Sequence, residues 1–160
     1  MIWLVLLFAL VLSFFFSGIE SAVMSVSRVR VRHAADEGGR RAARLLRLIE
    51  DRDALLGAVT VANHAANLAA FIIITWKLIL ALGAWGYAAG FLIALPVFLI
   101  GLEVVPKTLF RRYPFRMLIH LYPLVMIAGW FRFPFKAIRA IQRGGEADQD
   151  EVRVRQDLKN

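Results

Sequence analysis

The sequence predicts an all-α integral membrane protein with three transmembrane helices and short juxtamembrane helices that face the cytoplasm. Hydrophobic residues make up 59% of the 160 residues, whereas soluble domains use about 45–50%. Three apolar stretches, residues 1–27, 54–76 and 86–105, contain no Lys or Arg, and a spanning helix needs about 20 such residues. The arginines lie in the segments beside these stretches, as they do at the cytoplasmic flanks of membrane helices.

The first stretch, residues 1–27, holds a single acidic residue, Glu20. It lacks the positively charged start and the small-residue cleavage site of a removed signal peptide, so we expect a retained span. Gly18 is the position where we expect this helix to tilt or kink.

The segment that follows the first span is basic, with eight arginines between Ser27 and Ala54. The positive-inside bias places it in the cytoplasm and the N-terminus outside. Gly38 and Gly39 interrupt it, and the helical spacing of Leu and Ile over residues 40–50 predicts an amphipathic helix on the membrane surface. The net charge of +8 therefore indicates anionic lipid headgroups as a partner, and not nucleic acid.

The second span is predicted over residues 54–76, where alanines and asparagines permit close helix contacts and interhelical hydrogen bonds. Lys77 is the basic residue of the predicted outer connection. Trp76, Trp85 and Tyr87 have the character of interfacial anchors.

The third span is predicted over residues 86–105, with a kink at Pro96 and an end or bend of the helix at Pro106. Residues 117–131 are too short for a fourth span and basic on both flanks, which favours a re-entrant or in-plane helix pair at the cytoplasmic face. We expect a folded domain over residues 1–143 and a polar cytoplasmic tail or linker, disordered in character, over residues 144–160.

Several polar side chains lie in the predicted spans, and the direction of each span brings them to similar membrane depths. Hydroxyl, amide and carboxylate oxygens suit hard cations such as Mg²⁺, Ca²⁺ or Na⁺. A carboxylate inside a membrane is costly, and such residues usually mark a functional site. Simpler alternatives remain open: serines that bond their own helix, asparagines that bridge helices, and a structural ion pair for each acid. The residues concerned are Ser17, Glu20, Ser21, Ser25, Asn63, Asn67 and Glu103.

The sequence offers no support for catalysis. It contains no Gly-rich phosphate loop, no G-x-S-x-G elbow and no H-E-x-x-H motif. Cysteine is absent, which excludes thiolate metal sites, and His64 and His120 suit packing or the interface better than metal ligation. We therefore do not expect an enzyme.

Three motifs resemble the transmembrane domain of the CNNM/CorC (HlyC/CorC-like) magnesium transporter family. S-G-I-E-S-A-V-M-S-V-S-R, starting at Ser17, resembles the first-span signature of the family. R-L-I-E-D-R-D-A-L-L-G-A-V-T-V-A-N-H-A-A-N resembles the entry to its second span, with Asn63 and Asn67 at the two asparagine positions. E-V-V-P-K-T at 103–108 resembles its G-E-h-h-P-K-T motif, although Leu102 replaces the glycine and Gly101 lies one place earlier.

The resemblance implies a homodimer with three spans per subunit, in the plasma membrane or, in a bacterium, the inner membrane. It implies Mg²⁺ efflux, with Na⁺ as the coupling ion, through a site of serine, asparagine and glutamate oxygens. By motif position the ion-site candidates are Ser17, Glu20, Ser21, Ser25, Asn63, Asn67 and Glu103; the shaping residues are Gly18, Gly101, Pro106 and Lys107. Ser13 has no counterpart in the motif and is left out of the predicted site.

The nucleotide-binding CBS pair of the family does not follow the third motif within this sequence, so we expect no ATP regulation from these residues. A different class of function also stays open. The chain could be a non-transporting membrane module that dimerises or docks a separate cytoplasmic or membrane partner.

Overall fold

The computed structural model describes residues 1–130, and their regular structure is helical throughout. In chain order the helices are α1 Ile2–Ser25, α2 Arg28–Asp36, α3 Arg40–Glu50, α4 Arg52–Leu82, α5 Trp85–Pro96, the π-helical segment Val97–Val104, α6 Val105–Arg112, α7 Pro114–His120 and α8 Tyr122–Trp130. The predicted all-α membrane fold is confirmed.

Three helices of the described residues are long and apolar enough to cross a membrane: Ile2–Ser25, Arg52–Leu82 and Trp85–Arg112. Large apolar side chains on their outer surfaces, such as Phe8, Ile72 and Leu92, remain exposed, as expected for helices that face lipid tails. All three predicted spans are therefore present. α1 also runs without interruption through Gly18.

The second span is longer than predicted: α4 continues six residues past Trp76 and ends at Leu82. The connection to α5 consists only of Gly83 and Ala84, and Gly83 takes a φ of 59° that favours glycine. The prediction that Lys77 belongs to the outer connection is wrong. Lys77 is a helical residue near the end of α4.

The third span changes its helical geometry twice. It is α-helical to Pro96, π-helical over Val97–Val104 and α-helical again from Val105. Of the two outcomes predicted at Pro106, an end or a bend of the helix, the end is wrong, since the helix continues to Arg112. Pro106 occupies the first turn of the new α-helical segment, a position at which the missing N–H of proline is tolerated.

The basic segment folds into two helices that pack on each other, of which only the second was predicted. α2 ends before Gly38, whose φ of 89° lies in the left-handed region that favours glycine, and α3 begins at Arg40. The apolar face of α3 is fully buried through Leu45 and Ile49. The predicted amphipathic helix is present, but this face packs on the protein and not into a membrane surface.

Helices α7 and α8 close the same end of the bundle. They are two short helices with a break at Leu121, too short to cross a bilayer, so residues 117–130 do not form a fourth span. Leu118 and Val125 are completely buried and belong to one apolar cluster with Leu45 and Ile49 of α3. The predicted helix pair is therefore present, whereas the tail predicted over residues 144–160 lies outside the described residues.

Candidate functional site

The candidate site begins on one face of α1. Ser13, Ser17 and Ser21 are spaced four residues apart, so their side chains lie on one stripe of the helix. Each is at most 1% exposed, because this face of α1 packs against α4 and α6. Glu20 lies beside the stripe with 19% of its side chain exposed. Four polar side chains therefore point into the helix bundle.

Ser13 joins α1 to both asparagines of α4. Its hydroxyl donates to Asn63 Oδ1 over 3.1 Å and also lies within hydrogen-bond distance of Asn67 Oδ1. Asn63 and Asn67 are one helical turn apart and so reach the same point on α1. Three oxygen atoms converge here, and a serine hydroxyl has only one hydrogen to share between two acceptors.

Ser17 lies one turn along α1 from Ser13 and is fully buried. Its hydroxyl has no hydrogen-bond partner among the described residues. An unpaired buried hydroxyl costs about 1–3 kcal/mol, and serines in membrane helices usually avoid that cost by bonding their own backbone. Ser17 therefore presents a free oxygen to the interior beside the Ser13 cluster.

Glu20 has two partners on two different helices. Thr60 of α4 donates its hydroxyl to Glu20 Oε1 over 2.9 Å. Lys107 of α6 brings its Nζ to 3.9 Å from Glu20 Oε2. Of the two alternatives for this acid, an ion-site residue or a structural pair with Lys107, the structure shows that the pair exists.

Ser21 fastens α1 to α6 by two hydrogen bonds. Its hydroxyl donates to the backbone carbonyl of Lys107 over 3.3 Å and accepts from Nε of Arg111 over 2.7 Å. Because its hydroxyl both donates to and accepts from α6, Ser21 joins α1 to α6.

Gly18 allows α6 to lie close to α1. A Cβ added at Gly18 would sit 2.7 Å from the ring carbons of Phe110, a distance that requires the ring to shift. Phe110 is itself 2% exposed. Close packing therefore explains the glycine at position 18, which was predicted as a shaping residue. It does not explain Gly101, since nothing lies within 4 Å of a Cβ added there.

Two of the predicted ion-site residues are not drawn into this cluster. Ser25 is the last residue of α1 and is exposed. Glu103 is half-buried in the π-helical segment, and none of the hydrogen bonds or ion pairs found within residues 1–130 joins it to the serines or asparagines. Pro106, a predicted shaping residue, is buried at the start of α6.

Sequence reasoning missed four residues that the structure places at the site: Ser13, Thr60, Phe110 and Arg111. The four-residue spacing from Ser13 to Ser17 and Ser21 was a usable signal for the first of them. The other three carried none, because their roles follow from how α4 and α6 pack on α1.

A groove between α4 and α5 adjoins the asparagine cluster. It has a volume of about 520 Å³, is lined mostly by aromatic and aliphatic side chains, and includes Asn67 and His64 among its lining residues. His64 is exposed on the outer surface of α4, well inside a span, where a polar side chain normally faces a partner or a cavity. Within residues 1–130 there is no group of three His, Cys, Asp or Glu side chains that could hold a metal ion.

Comparison with known proteins places the chain among membrane proteins. Residues 4–154 match the family described as Cyclin M transmembrane N-terminal domain (CNNM). The UPF0053 inner membrane protein YfjD of Escherichia coli (strain K12) is 34% identical over 103 residues, which cover 64% of this chain and 24% of that protein.

A UPF0053 protein of Haemophilus influenzae is 31% identical over 107 residues, 67% of this chain and 26% of its own length. The chain therefore spans about a quarter of the length of these relatives.

Proposed function

The chain belongs to the family of Cyclin M transmembrane N-terminal domains (CNNM), and from that premise we propose that it carries Mg²⁺ across the membrane, driven by Na⁺. The observation that carries the proposal is the convergence of the Ser13, Asn63 and Asn67 oxygens in the bundle interior. The two amide oxygens are both acceptors, and the serine hydroxyl has only one hydrogen to donate. The remaining oxygen can be satisfied if one amide rotates to present its NH₂ group, or if a cation binds among the three oxygens.

The chemistry of this cluster selects hard cations. Its atoms are neutral oxygens, which suit Mg²⁺, Ca²⁺ and Na⁺ better than zinc or copper. Ser17 adds a buried hydroxyl that has no partner of its own in the described part of the chain. We therefore assign Ser13, Ser17, Asn63 and Asn67 as the neutral part of the ion site.

The charge needed to balance a divalent cation would come from Glu20 and Glu103. Glu20 flanks the serine stripe but is engaged by Lys107 and Thr60, so its use by an ion requires that Lys107 withdraw. Glu103 is half-buried in a segment whose π-helical geometry is of a type frequent at functional sites. Ser21 and Ser25 have the weaker case, because Ser21 is engaged by α6 and Ser25 is exposed.

The orientation and assembly belong to the same proposal. The arginines of α2 and α3 favour the cytoplasm for that end of the bundle, which puts the N-terminus outside and the C-terminus inside. A homodimer is supported by the exposed His64 and the groove beside it, since a second copy seated on α4 and α5 would cover a polar group inside the membrane. The membrane proposed is the plasma membrane, the inner membrane in a bacterium.

A second function is favoured by one observation. The acid of the α1 site already has a lysine partner and a threonine donor, as in a purely structural pair. On that account the chain is a membrane module that docks another protein and carries no ion.

The test is Mg²⁺ flux in proteoliposomes loaded with a Mg²⁺-sensitive dye, with and without an imposed Na⁺ gradient. The account predicts flux for the parent chain, acceleration by the gradient, and at least a tenfold loss in Asn63→Ala combined with Glu103→Ala. Leu7→Ala, on the exposed outer surface of α1, is the control and keeps its flux. Unchanged flux in the double variant would contradict the assigned site, and absence of flux in the parent chain would favour the docking module.

A further inference from the structure

One end of the bundle carries a single lysine held between two tryptophans. Lys77 lies near the end of α4, with Nζ 5.9 Å from the ring centre of Trp3 and 5.3 Å from that of Trp76. Both distances fall within the range of attraction between a cation and an aromatic ring. Trp3 comes from the start of α1, so this contact joins the first two spans at the end opposite the arginine-rich helices.

No acidic side chain is near enough to neutralise Lys77 within the described residues. α1 has no Asp or Glu before Glu20, and α4 has none after Asp53. At 1.5 Å per residue, Glu20 lies about 26 Å from Trp3 along α1, and Asp53 about 36 Å from Lys77 along α4. α5 has no charged residue, so among residues 1–130 this end of the bundle bears a positive charge with no acidic partner.

An apolar groove lies directly against Lys77. Its volume is about 510 Å³, and its lining residues come from the start of α1, the last part of α4 and the interior of α5. Lys77 is the one charged side chain among its lining residues, and the others include Ile74, Leu78 and Ile93. A hydrocarbon-lined groove with an ammonium group beside it matches a molecule that has an acyl chain and an anionic head.

We propose that this groove binds an anionic glycerophospholipid, with its phosphate at Lys77 and one acyl chain along Leu78 and Ile93. Tryptophans at Trp3 and Trp76 mark the headgroup level, where their amphipathic rings are enriched, and Lys77 extends its charged end toward that level. A free phosphate ion would leave the apolar groove empty. A zwitterionic headgroup would bring its own cation against Lys77, so an anionic lipid fits better.

The experiment uses quenching of tryptophan fluorescence by brominated lipids in vesicles of defined composition. Of the four tryptophans in the chain, Trp85 and Trp130 are replaced by Phe, which leaves Trp3 and Trp76 beside Lys77. Brominated phosphatidylglycerol should quench them with about fivefold higher apparent affinity than brominated phosphatidylcholine, as one lysine near a charged headgroup provides. Lys77→Gln should bring the ratio to about one, and Lys77→Arg should keep it.

Two further variants separate the groove from the charge. Ala81→Phe places a ring in the groove and keeps Lys77, so quenching by brominated phosphatidylglycerol should fall. Arg47→Gln removes an exposed charge at the opposite end and should leave the ratio unchanged. Equal quenching by both lipids in the parent, a preference that survives Lys77→Gln, a preference lost in Arg47→Gln, or full quenching in Ala81→Phe would each overturn the proposal.

Discussion

Lys107 Nζ lies 3.9 Å from Glu20 Oε2, so the acidic side chain of the first span forms an ion pair with a lysine of the third span. The pair is partly shielded, with side chains 33% and 19% exposed. A metal ion that used Glu20 would therefore compete with an ammonium group tethered to the same protein. This relationship makes Lys107 a candidate regulator of cation affinity.

Removing the charge of Lys107 should tighten cation binding. In Lys107→Gln, Glu20 keeps its bond from Thr60 but loses its positive neighbour, so we expect the apparent Mg²⁺ affinity to rise roughly fivefold, the equivalent of a partly screened charge contact. The measurement is a Mg²⁺ titration of melting temperature. Lys77→Gln, which removes the same charge at the far end of α4, is the control, and equal or weaker binding in Lys107→Gln would exclude competition.

The asparagine cluster should matter for stability even without an ion. Asn63→Ala removes a buried amide that accepts from Ser13, while Ser13 keeps Asn67 as its second acceptor, so we expect a loss of about 0.5–1.5 kcal/mol in the free energy of unfolding, the net value of one hydrogen bond. Denaturation in detergent micelles measures this loss. Leu7→Ala, on the exposed outer surface of α1, should stay within about 0.5 kcal/mol of the parent; a comparable loss there would contradict the assignment.

The two glycines of the predicted site should respond oppositely to alanine. Gly18→Ala forces a methyl group against the Phe110 ring, and overpacking of this kind costs about 1–3 kcal/mol. Gly101→Ala meets open space and should be neutral or stabilising by up to about 1 kcal/mol, because alanine is the better helix former.

The Gly18 contact can be checked by a compensating change. Phe110→Leu should lower the cost of Gly18→Ala, and a double-mutant cycle of unfolding free energies measures that coupling. If the losses of unfolding free energy in the two single variants simply add, the two positions do not interact.

Burial of α3 on the protein also has a direct consequence. Leu45→Ala should cost about 2–5 kcal/mol, the range for a truncated leucine in a packed core, since Leu45 is completely buried in the apolar cluster that joins α3 to the rest of the bundle. Arg44→Ala, at the adjacent exposed position, is the control. A small loss for Leu45→Ala in detergent would instead support an apolar face that rests on lipid.

The spans were predictable from sequence because apolarity over 20 residues is a local property. The asparagine positions and the Ser17 to Ser21 stripe were predictable from their spacing along single helices. Ser13 was not assigned, because its role depends on the rotation of α1 relative to α4, which distant packing sets. The same limit applies to the Glu20 and Lys107 pair, whose members lie on different spans.

Other errors came from local rules that the fold overrides. Proline usually ends a helix, yet Pro106 falls in the first turn of α6, where that rule does not hold. The amphipathic pattern of residues 40–50 correctly predicts a helix with one apolar face. The pattern is identical whether lipid or protein covers that face, and only the fold shows that protein covers it.

The most direct test of the central claim is Mg²⁺-dependent stabilisation of the purified chain, measured as melting temperature at constant ionic strength. A cation that binds the folded state raises its stability by RT ln(1 + [L]/Kd). We predict a rise with Mg²⁺ in the parent chain and in the control Leu7→Ala, and none in Ser13→Ala combined with Asn63→Ala. An equal rise in that double variant, or no rise in the parent, would contradict an ion site at Ser13, Asn63 and Asn67.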